Sequence, residues 1–537
     1  MSQDNIARSS SLMASGTMLS RALGFVKAIV LATAIGVTSS VAADAFTLAN
    51  LLPSSVYMLL VGGALSSIFV PQISRALTKK DQGAAYINKL VTISTLFLLG
   101  ITTVAMIAAP FLVYIYSISW SSDERALAIA FAYWCLPQIF FYGLFNIFGE
   151  VLNAKKVFGP ASWAPVLNNI ISIVGLVIYI AIFGSDPSGN QPVEDWTPFQ
   201  IGVLGASATL GVVTQALILL VAWRKAGIKY RPDFAWRGVG LGKLGKIAQW
   251  SLATVVVMQL GGIVTNNVAL SASGKAASIA ALQYAWLIFL LPYAIFAFSI
   301  GTAYFTRFAE HVHNNDLDKI RTDVSSALRI ISLVMAISGA VIFITAPFIS
   351  TVVMDGATPT EIAELALVIA MYILCLVPYG MWFVIQRTYF AFEDTRTPFF
   401  FTLLQVILFA GGSLLALVTT PVELLAAMMA LTFSVTTYIQ VTVALFFLSR
   451  KLNGLDGRRV FVSHLKYAVA LVPTLIAGYG LWLFTIDVIN EENFLLAILE
   501  SVVYAIIMTS IYLGTLLLLK SEEVRELASL IKRKLGR

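Results

Sequence analysis

Arg21, Gly24 and Lys27 stand three residues apart in LSRALGFVKAIVLATAIG (19–36), the first apolar segment of the chain. On a helix each is stepped about 60° from the last, which makes one slanted stripe with Ser20 beside Lys27. Each cation placed in hydrocarbon costs on the order of 2.5–3.5 kcal/mol on insertion scales. Lys27 is not a loop residue: only 14 residues run from Ala28 to Val41, too few to span. Its stem can snorkel toward the surface, and Arg21 sits nearer the interface. The same helix offers no acid to neutralise the pair. The stripe therefore suggests an anion site facing a water-filled cavity, with Gly24 leaving room for a ligand to approach the backbone. The competing reading satisfies both cations with carbonyls or with an acid on another segment.

These residues need a membrane-embedded scaffold. The chain has 537 residues, 58% hydrophobic and 12% charged, with mean hydropathy +0.86. A soluble protein carries about twice that charge, so the class is an integral membrane protein. Fourteen apolar segments are long enough to cross: 12–37, 45–74, 86–115, 126–150, 160–184, 199–223, 243–270, 280–305, 325–350, 361–388, 397–419, 422–449, 464–486 and 493–519. Ala32-Thr33-Ala34 resembles a cleavage site, but Lys27 interrupts the apolar run a signal peptide needs, so the first segment is expected to be retained. The fold class is thus an all-α membrane protein of about fourteen transmembrane helices.

Charge sets the expected orientation. One set of loops carries 29 of the 35 basic residues, including Arg387 and Arg396, and the opposite set only Arg125 and Lys275. By the positive-inside rule the first set, and with it both termini, is cytoplasmic. The net charge of +7 is then a topology signal. Nucleic acid is not an expected partner, because no basic, aromatic-rich soluble domain is present. No nucleophile–base pair, paired carboxylates or phosphate-cradling loop stands out, so an enzyme is not expected. Cys135 and Cys375 lie in apolar runs and read as core residues. His311 and His313 lack a third ligand, so no metal or cofactor is expected, and a coupling ion is not identified.

The chain echoes itself. CLP (135–137) precedes a helix ending in VLNAKKVFGP (151–160), and CLVP (375–378) precedes one ending in YFAFEDTRTP (389–398). An offset of about 240 residues spans six segments, an even number, which predicts two parallel repeats able to rock about a central site. The expected divisions are an N-terminal lobe 1–235, a C-terminal lobe 236–460, and 461–537 with the last two helices and a short basic tail. Asn50, Asn168, Asn169, Gln215, Gln259, Asn266, Asn267, Gln283 and Arg329 lie within segments and read mainly as interhelical hydrogen bonds. Pro53 and Pro292 precede Gly62-Gly63 and Gly301, so those spans are expected to bend.

The sequence also resembles the MurJ (MviN) family of lipid II flippases, in the multidrug/oligosaccharidyl-lipid/polysaccharide exporter superfamily. SRALGFVK (20–27) is similar to the family's first-helix pattern, and ADAFTLANLLP (43–53) and GALSSIFVPQIS (63–74) to the stretches that follow. VLNAKKVFGPASWAPVLNNI (151–170) and EDTRTP (393–398) resemble two further family segments. The resemblance covers residues from about 12 to at least 450. It implies two six-helix lobes plus two C-terminal helices, and movement of undecaprenyl-diphosphate-linked peptidoglycan precursor (lipid II) from the cytoplasmic to the outer leaflet by alternating access. A flippase for another polyprenyl-diphosphate-linked glycan is the alternative, and a drug or cation exporter a more distant one. The implied location is the bacterial cytoplasmic membrane, and cell-wall synthesis proteins are a further partner class. Ser20, Arg21, Gly24 and Lys27 would hold the diphosphate. Asp44, Pro53, Asn153, Pro160 and Pro292 would serve gating or bending. Some relatives carry a long C-terminal regulatory domain, which is not expected after the tail SEEVRELASLIKRKLGR. The pattern departs at Lys27-Ala28, at Tyr57, Met58 and Gly62, and at Trp286-Leu287, where family members carry further charges.

Overall fold

The structure is a computed structural model that describes residues 3–61, 76, 81, 83–235, 245–489 and 494–525. The GALSSIFVPQIS segment, the Gly62-Gly63 pair, and the cations Arg75, Lys79, Lys80, Arg237 and Lys243 lie outside the described residues, as does the tail beyond 525. All regular structure among the described residues is helical. The chain divides into two compact units, Met1–Gly274 and Lys275–Arg537.

The first unit contains α1 (Gln3–Ile35), α2 (Val41–Val61), α3 (Ala84–Ile107), α4 (Ala109–Tyr116), α5 (Ser122–Cys135), α6 (Gln138–Ala154), α7 (Gly159–Phe183), α8 (Pro198–Lys225) and α9 (Gly245–Leu270). The second contains α10 (Ile279–Pro292), a π-helical turn (Tyr293–Ala297), α11 (Phe298–His313), α12 (Leu317–Val353), α13 (Pro359–Ile373), α14 (Leu376–Ala391), α15 (Arg396–Thr419), α16 (Val422–Lys451), α17 (Gly457–Ile489) and α18 (Phe494–Leu518). Twelve of the described helical spans are long and apolar enough to cross a membrane, and the bent pair α13–α14 makes thirteen. Each matches a segment read from the sequence. The remaining one, 45–74, is α2 as far as the described residues run. The 86–115 segment is not one rod: it breaks at Ala108, with Pro110 in the first turn of α4. Val418, Phe484 and Leu518 are 78%, 86% and 83% exposed, the outward apolar surface that hydrocarbon rather than water accepts.

Local chemistry starts and stops these helices. Gly36 ends α1 with φ +77° and donates its N–H to the Ala32 carbonyl. A Cβ there would sit 2.8 Å from the Gly189 nitrogen, so the corner admits only glycine. Ser40 then opens α2, accepting the Ala43 N–H at 3.1 Å and donating to the Ile35 carbonyl at 2.6 Å. Capping boxes start α5 (Ser121 with Glu124), α8 (Thr197 with Gln200) and α13 (Thr358 with Glu361), supplying partners for otherwise orphaned N–H groups.

The internal echo is visible as a repeated order of elements. In each unit a helix breaks at a buried cysteine and a proline, runs on, turns through a short loop and re-enters at a second proline. The first unit does this as α5–α6–α7 and the second as α13–α14–α15, where the bend between α13 and α14 is 42°. Lys156 and Glu393 take φ of +62° and +58° in the two corresponding loops. A broken helix in hydrocarbon must satisfy its freed carbonyls. The Thr209 hydroxyl donates to the Trp134 carbonyl at 2.7 Å, and the Tyr438 hydroxyl to the Leu374 carbonyl at 3.0 Å.

Packing of α7 on α8 depends on small residues. A Cβ at Gly175 would meet the Ser207 Cα at 3.0 Å, and one at Gly211 would meet the Asn168 carbonyl oxygen at 2.7 Å. Gly175→Val is therefore expected to destabilise the first unit by about 1–3 kcal/mol, the usual cost of overpacking. A thermal-aggregation scan of the detergent-solubilised protein checks this; an unchanged midpoint would show that the two helices separate freely.

Candidate functional site

The slanted stripe of α1 divides between two environments. Ser20 and Gly24 face α7: Asn169 Nδ2 donates to the Ser20 carbonyl at 2.7 Å and lies 3.3 Å from its hydroxyl. The atom nearest a Cβ at Gly24 is the same Asn169 Nδ2, at 3.7 Å, so the close neighbour that this glycine admits is Asn169. Arg21 is exposed, whereas Lys27 is partly buried. Neither makes a hydrogen bond or ion pair among the described residues. Lys27 lies within electrostatic reach of Cys135 at the α5–α6 break.

That break carries a polar seam. Gln138 Nε2 donates to Asn50 Oδ1 of α2 at 3.3 Å and to Thr209 Oγ1 of α8 at 3.0 Å. The Tyr142 hydroxyl donates to Gln138 Oε1 at 3.2 Å. One turn on, Asn146 donates its amide to the Tyr57 hydroxyl of α2. Gln138, Tyr142, Asn146 and Glu150 recur every fourth residue, which places them on one face of α6. This row is not among the site residues expected from the sequence. Its signal was the spacing, hidden in the aromatic run QIFFYGLFNIFGEV. Glu150 is the one acid in the row and lies near Tyr57. The seam thus offers a cation, several amides and phenols, and a carboxylate, a set suited to holding a polar, charged headgroup.

The other expected site residues are dispersed. Asp44 is buried in the first turn of α2, where the helix N-terminus favours a carboxylate. Pro53 lies inside α2, and Gln259 of α9 donates to the nearby Ser55 carbonyl at 2.8 Å. Asn153 is in the last turn of α6, where its carbonyl accepts the Lys156 N–H at 2.9 Å. Pro160 lies in the first turn of α7 and lines an apolar cleft with Val157, Ile218 and Val221. In the second unit Pro292 ends α10, and the π-helical turn Tyr293–Ala297 follows, a local widening of the kind that accompanies a lost ladder bond. Most of the remaining span amides do bridge helices: Asn168 donates to Gln215 at 2.7 Å, and Asn267 to the Ile115 carbonyl at 2.8 Å. His311 bonds Asp323 at 3.2 Å, and Arg307 pairs with the same carboxylate at 2.6 Å.

The loop EDTRTP is built around Asp394. Its carboxylate accepts the Thr397 N–H at 3.0 Å, the Thr397 hydroxyl at 2.9 Å and the Lys451 ammonium at 2.8 Å. Burial alone would raise its pKa, but these donors outweigh burial and hold it below the usual carboxylate range.

A bundle of broken spans with a charged polar seam defines a multi-pass membrane transporter. Solved structures share the fold. A lipid II flippase MurJ in an inward closed conformation matches with a TM-score of 0.71 at 21% identity, over 94% of this chain and 99% of that one. An inward-facing multidrug resistance MATE family transporter of the MOP superfamily matches with 0.63 at 15% identity, over 81% and 94%. A family model described as lipid II flippase MurJ matches residues 31–503. Among curated relatives, the probable lipid II flippase MurJ of Haemophilus influenzae is 24% identical over 94% of this chain and 98% of its own length. That of Borreliella burgdorferi is 24% identical over 85% and 86%. The chain belongs to the lipid II flippase MurJ family.

Proposed function

We infer that this protein flips lipid II, the undecaprenyl-diphosphate-linked peptidoglycan precursor, from the cytoplasmic to the outer leaflet by alternating access. The observation that carries the reading is Lys27: a cation in the span of α1, with no ion pair among the described residues, beside a seam of amides and phenols. A diphosphate supplies the anion that such a cation lacks, and the seam supplies donors and acceptors for the attached headgroup. Family membership supports the same substrate. Ser20, Arg21, Gly24 and Lys27 remain the residues assigned to the diphosphate. Asp44, Pro53, Asn153, Pro160 and Pro292 are assigned to gating and bending.

The protein would reside in the bacterial cytoplasmic membrane with both termini inside, as the loop charges require. Its divisions are read as 1–235, 236–460 and 461–537, and cell-wall synthesis proteins are its natural neighbours. The membrane potential acting on site charges, about 2.3 kcal/mol per charge per 100 mV, is one candidate energy source. A flippase for another polyprenyl-diphosphate glycan is the second reading, favoured by the absence of the family's further charges at Tyr57, Trp286 and Leu287. Growth of cells depleted of their resident lipid II flippase tests the reading. Rescue is expected; membrane-inserted protein that fails to rescue would favour the second reading.

A further inference from the structure

The i, i+4 row of α6 has a counterpart in α14. Counting from the proline of each break, Gln138, Tyr142 and Asn146 of the first unit correspond to Tyr379, Phe383 and Arg387 of the second. Arg387 thus stands nine residues after Pro378, as Asn146 stands nine after Pro137. In the first unit Asn146 bonds Tyr57. In the second unit the arginine has a different environment. Arg387 counts among the basic residues at the end of the 361–388 segment, and the structure places it within α14, a turn before Ala391.

Its guanidinium lies over two aromatic faces, 4.9 Å from the centroid of Phe383 and 5.3 Å from that of Phe305. Its Nε is buried with no hydrogen-bond partner. Among the described residues Arg387 makes no hydrogen bond and no ion pair. Of the two acids in the loop that follows α14, Asp394 is taken by Lys451 and Thr397, while Glu393 is exposed and forms no ion pair among the described residues; Asp323 is taken by Arg307 and His311. Tyr293 continues the aromatic surface, packed edge-to-face on Phe383 and on Tyr379. The aromatic faces fix the plane of the guanidinium and leave its N–H edges for an acceptor that the described residues do not provide. A planar fork held in this way matches the oxygens of a phosphate group.

We propose that Arg387 is the anion-binding residue of the second unit and takes a phosphate of the lipid-linked substrate. This rests on the flippase reading above. A bilayer phospholipid headgroup has the same phosphate chemistry, so the test separates the two sources. Full-length protein in phosphatidylcholine nanodiscs, with and without phosphatidylglycerol, is titrated with undecaprenyl diphosphate. Arg387→Gln is expected to weaken binding about tenfold, the scale of one lost charge-assisted hydrogen bond, in both bilayers. Arg387→Lys, which keeps the charge without the fork, is expected to recover part of the loss, and it serves where the glutamine variant does not fold.

Arg387→Gln that binds undecaprenyl diphosphate like wild type, while Lys27→Gln binds it less well, would overturn the assignment and leave the flippase reading standing. A variant that loses only phosphatidylglycerol would make Arg387 a bulk-lipid contact and overturn it equally. Wild-type protein that binds no undecaprenyl diphosphate would overturn the flippase reading and this assignment together.

Discussion

Lys27→Gln is expected to reduce transport of lipid-linked precursor by about tenfold or more, while the amount of inserted, folded protein stays at the wild-type level. The asymmetry follows from what surrounds the ammonium. Lys27 has no carboxylate partner among the described residues, so its removal orphans no protein charge. It also relieves an insertion cost on the order of 2.5–3.5 kcal/mol. Stability should therefore hold or rise. Function should fall, because the neutral amide offers the diphosphate no charge, and one charge-assisted hydrogen bond is worth about 1.5–3 kcal/mol. Lys27→Arg should retain most transport. Parallel measurement of leaflet exposure and of the solubilised protein's melting midpoint checks both halves. A variant with a lowered midpoint and unchanged transport would make Lys27 a structural cation.

Arg329 presents the opposite case, and its loss is expected to cost about 3–5 kcal/mol of stability. It is buried in α12 and pairs with Glu523, which follows α18 and is itself buried. The Glu523 carboxylate also accepts the Ser463 hydroxyl of α17 at 3.1 Å and the Ser521 hydroxyl at 2.6 Å. Glu522 beside it binds Arg459 of α17 at 2.5 Å. This cluster ties the two last helices to α12. Arg329→Ala leaves a buried carboxylate without its cation, and Glu523→Gln leaves the buried guanidinium with only the more distant Glu522 carboxylate, at 3.8 Å. Replacing both by apolar residues, Arg329→Met with Glu523→Leu, should recover much of the loss.

The cluster also sets a pH dependence. Burial would raise the Glu523 pKa, but bonds from Ser521, its own backbone, Arg329 and Ser463 outweigh burial and hold it below the usual glutamate range. A carboxylate depressed in the folded state contributes stability above its unfolded pKa and loses it as pH falls through the folded value. Acidification below the ordinary glutamate range should therefore lower the wild-type midpoint more than that of Glu523→Gln. Parallel pH profiles for the two would contradict this.

The spans were legible in the sequence because twenty apolar residues in a row have one physical meaning. The breaks were legible as CLP and CLVP. That their freed carbonyls are met by Thr209 and Tyr438 depends on partners more than 60 residues away. Lys27 was legible because a lone cation in hydrocarbon is conspicuous. Gln138, Tyr142 and Asn146 were not, since amides and phenols in an aromatic helix read equally well as packing. The Arg329–Glu523 pair joins positions 194 residues apart, which no local pattern encodes. Arg387 falls at the edge of the 361–388 segment and counts equally as a loop charge; only the helix boundary at Ala391 places it a turn inside α14.

The most direct test of the account is lipid II exposed on the outer leaflet of cells depleted of their own flippase and expressing this protein. Exposure is expected to return with the wild-type chain and to fall with Lys27→Gln. Membrane-inserted wild-type protein that restores no exposure would contradict it.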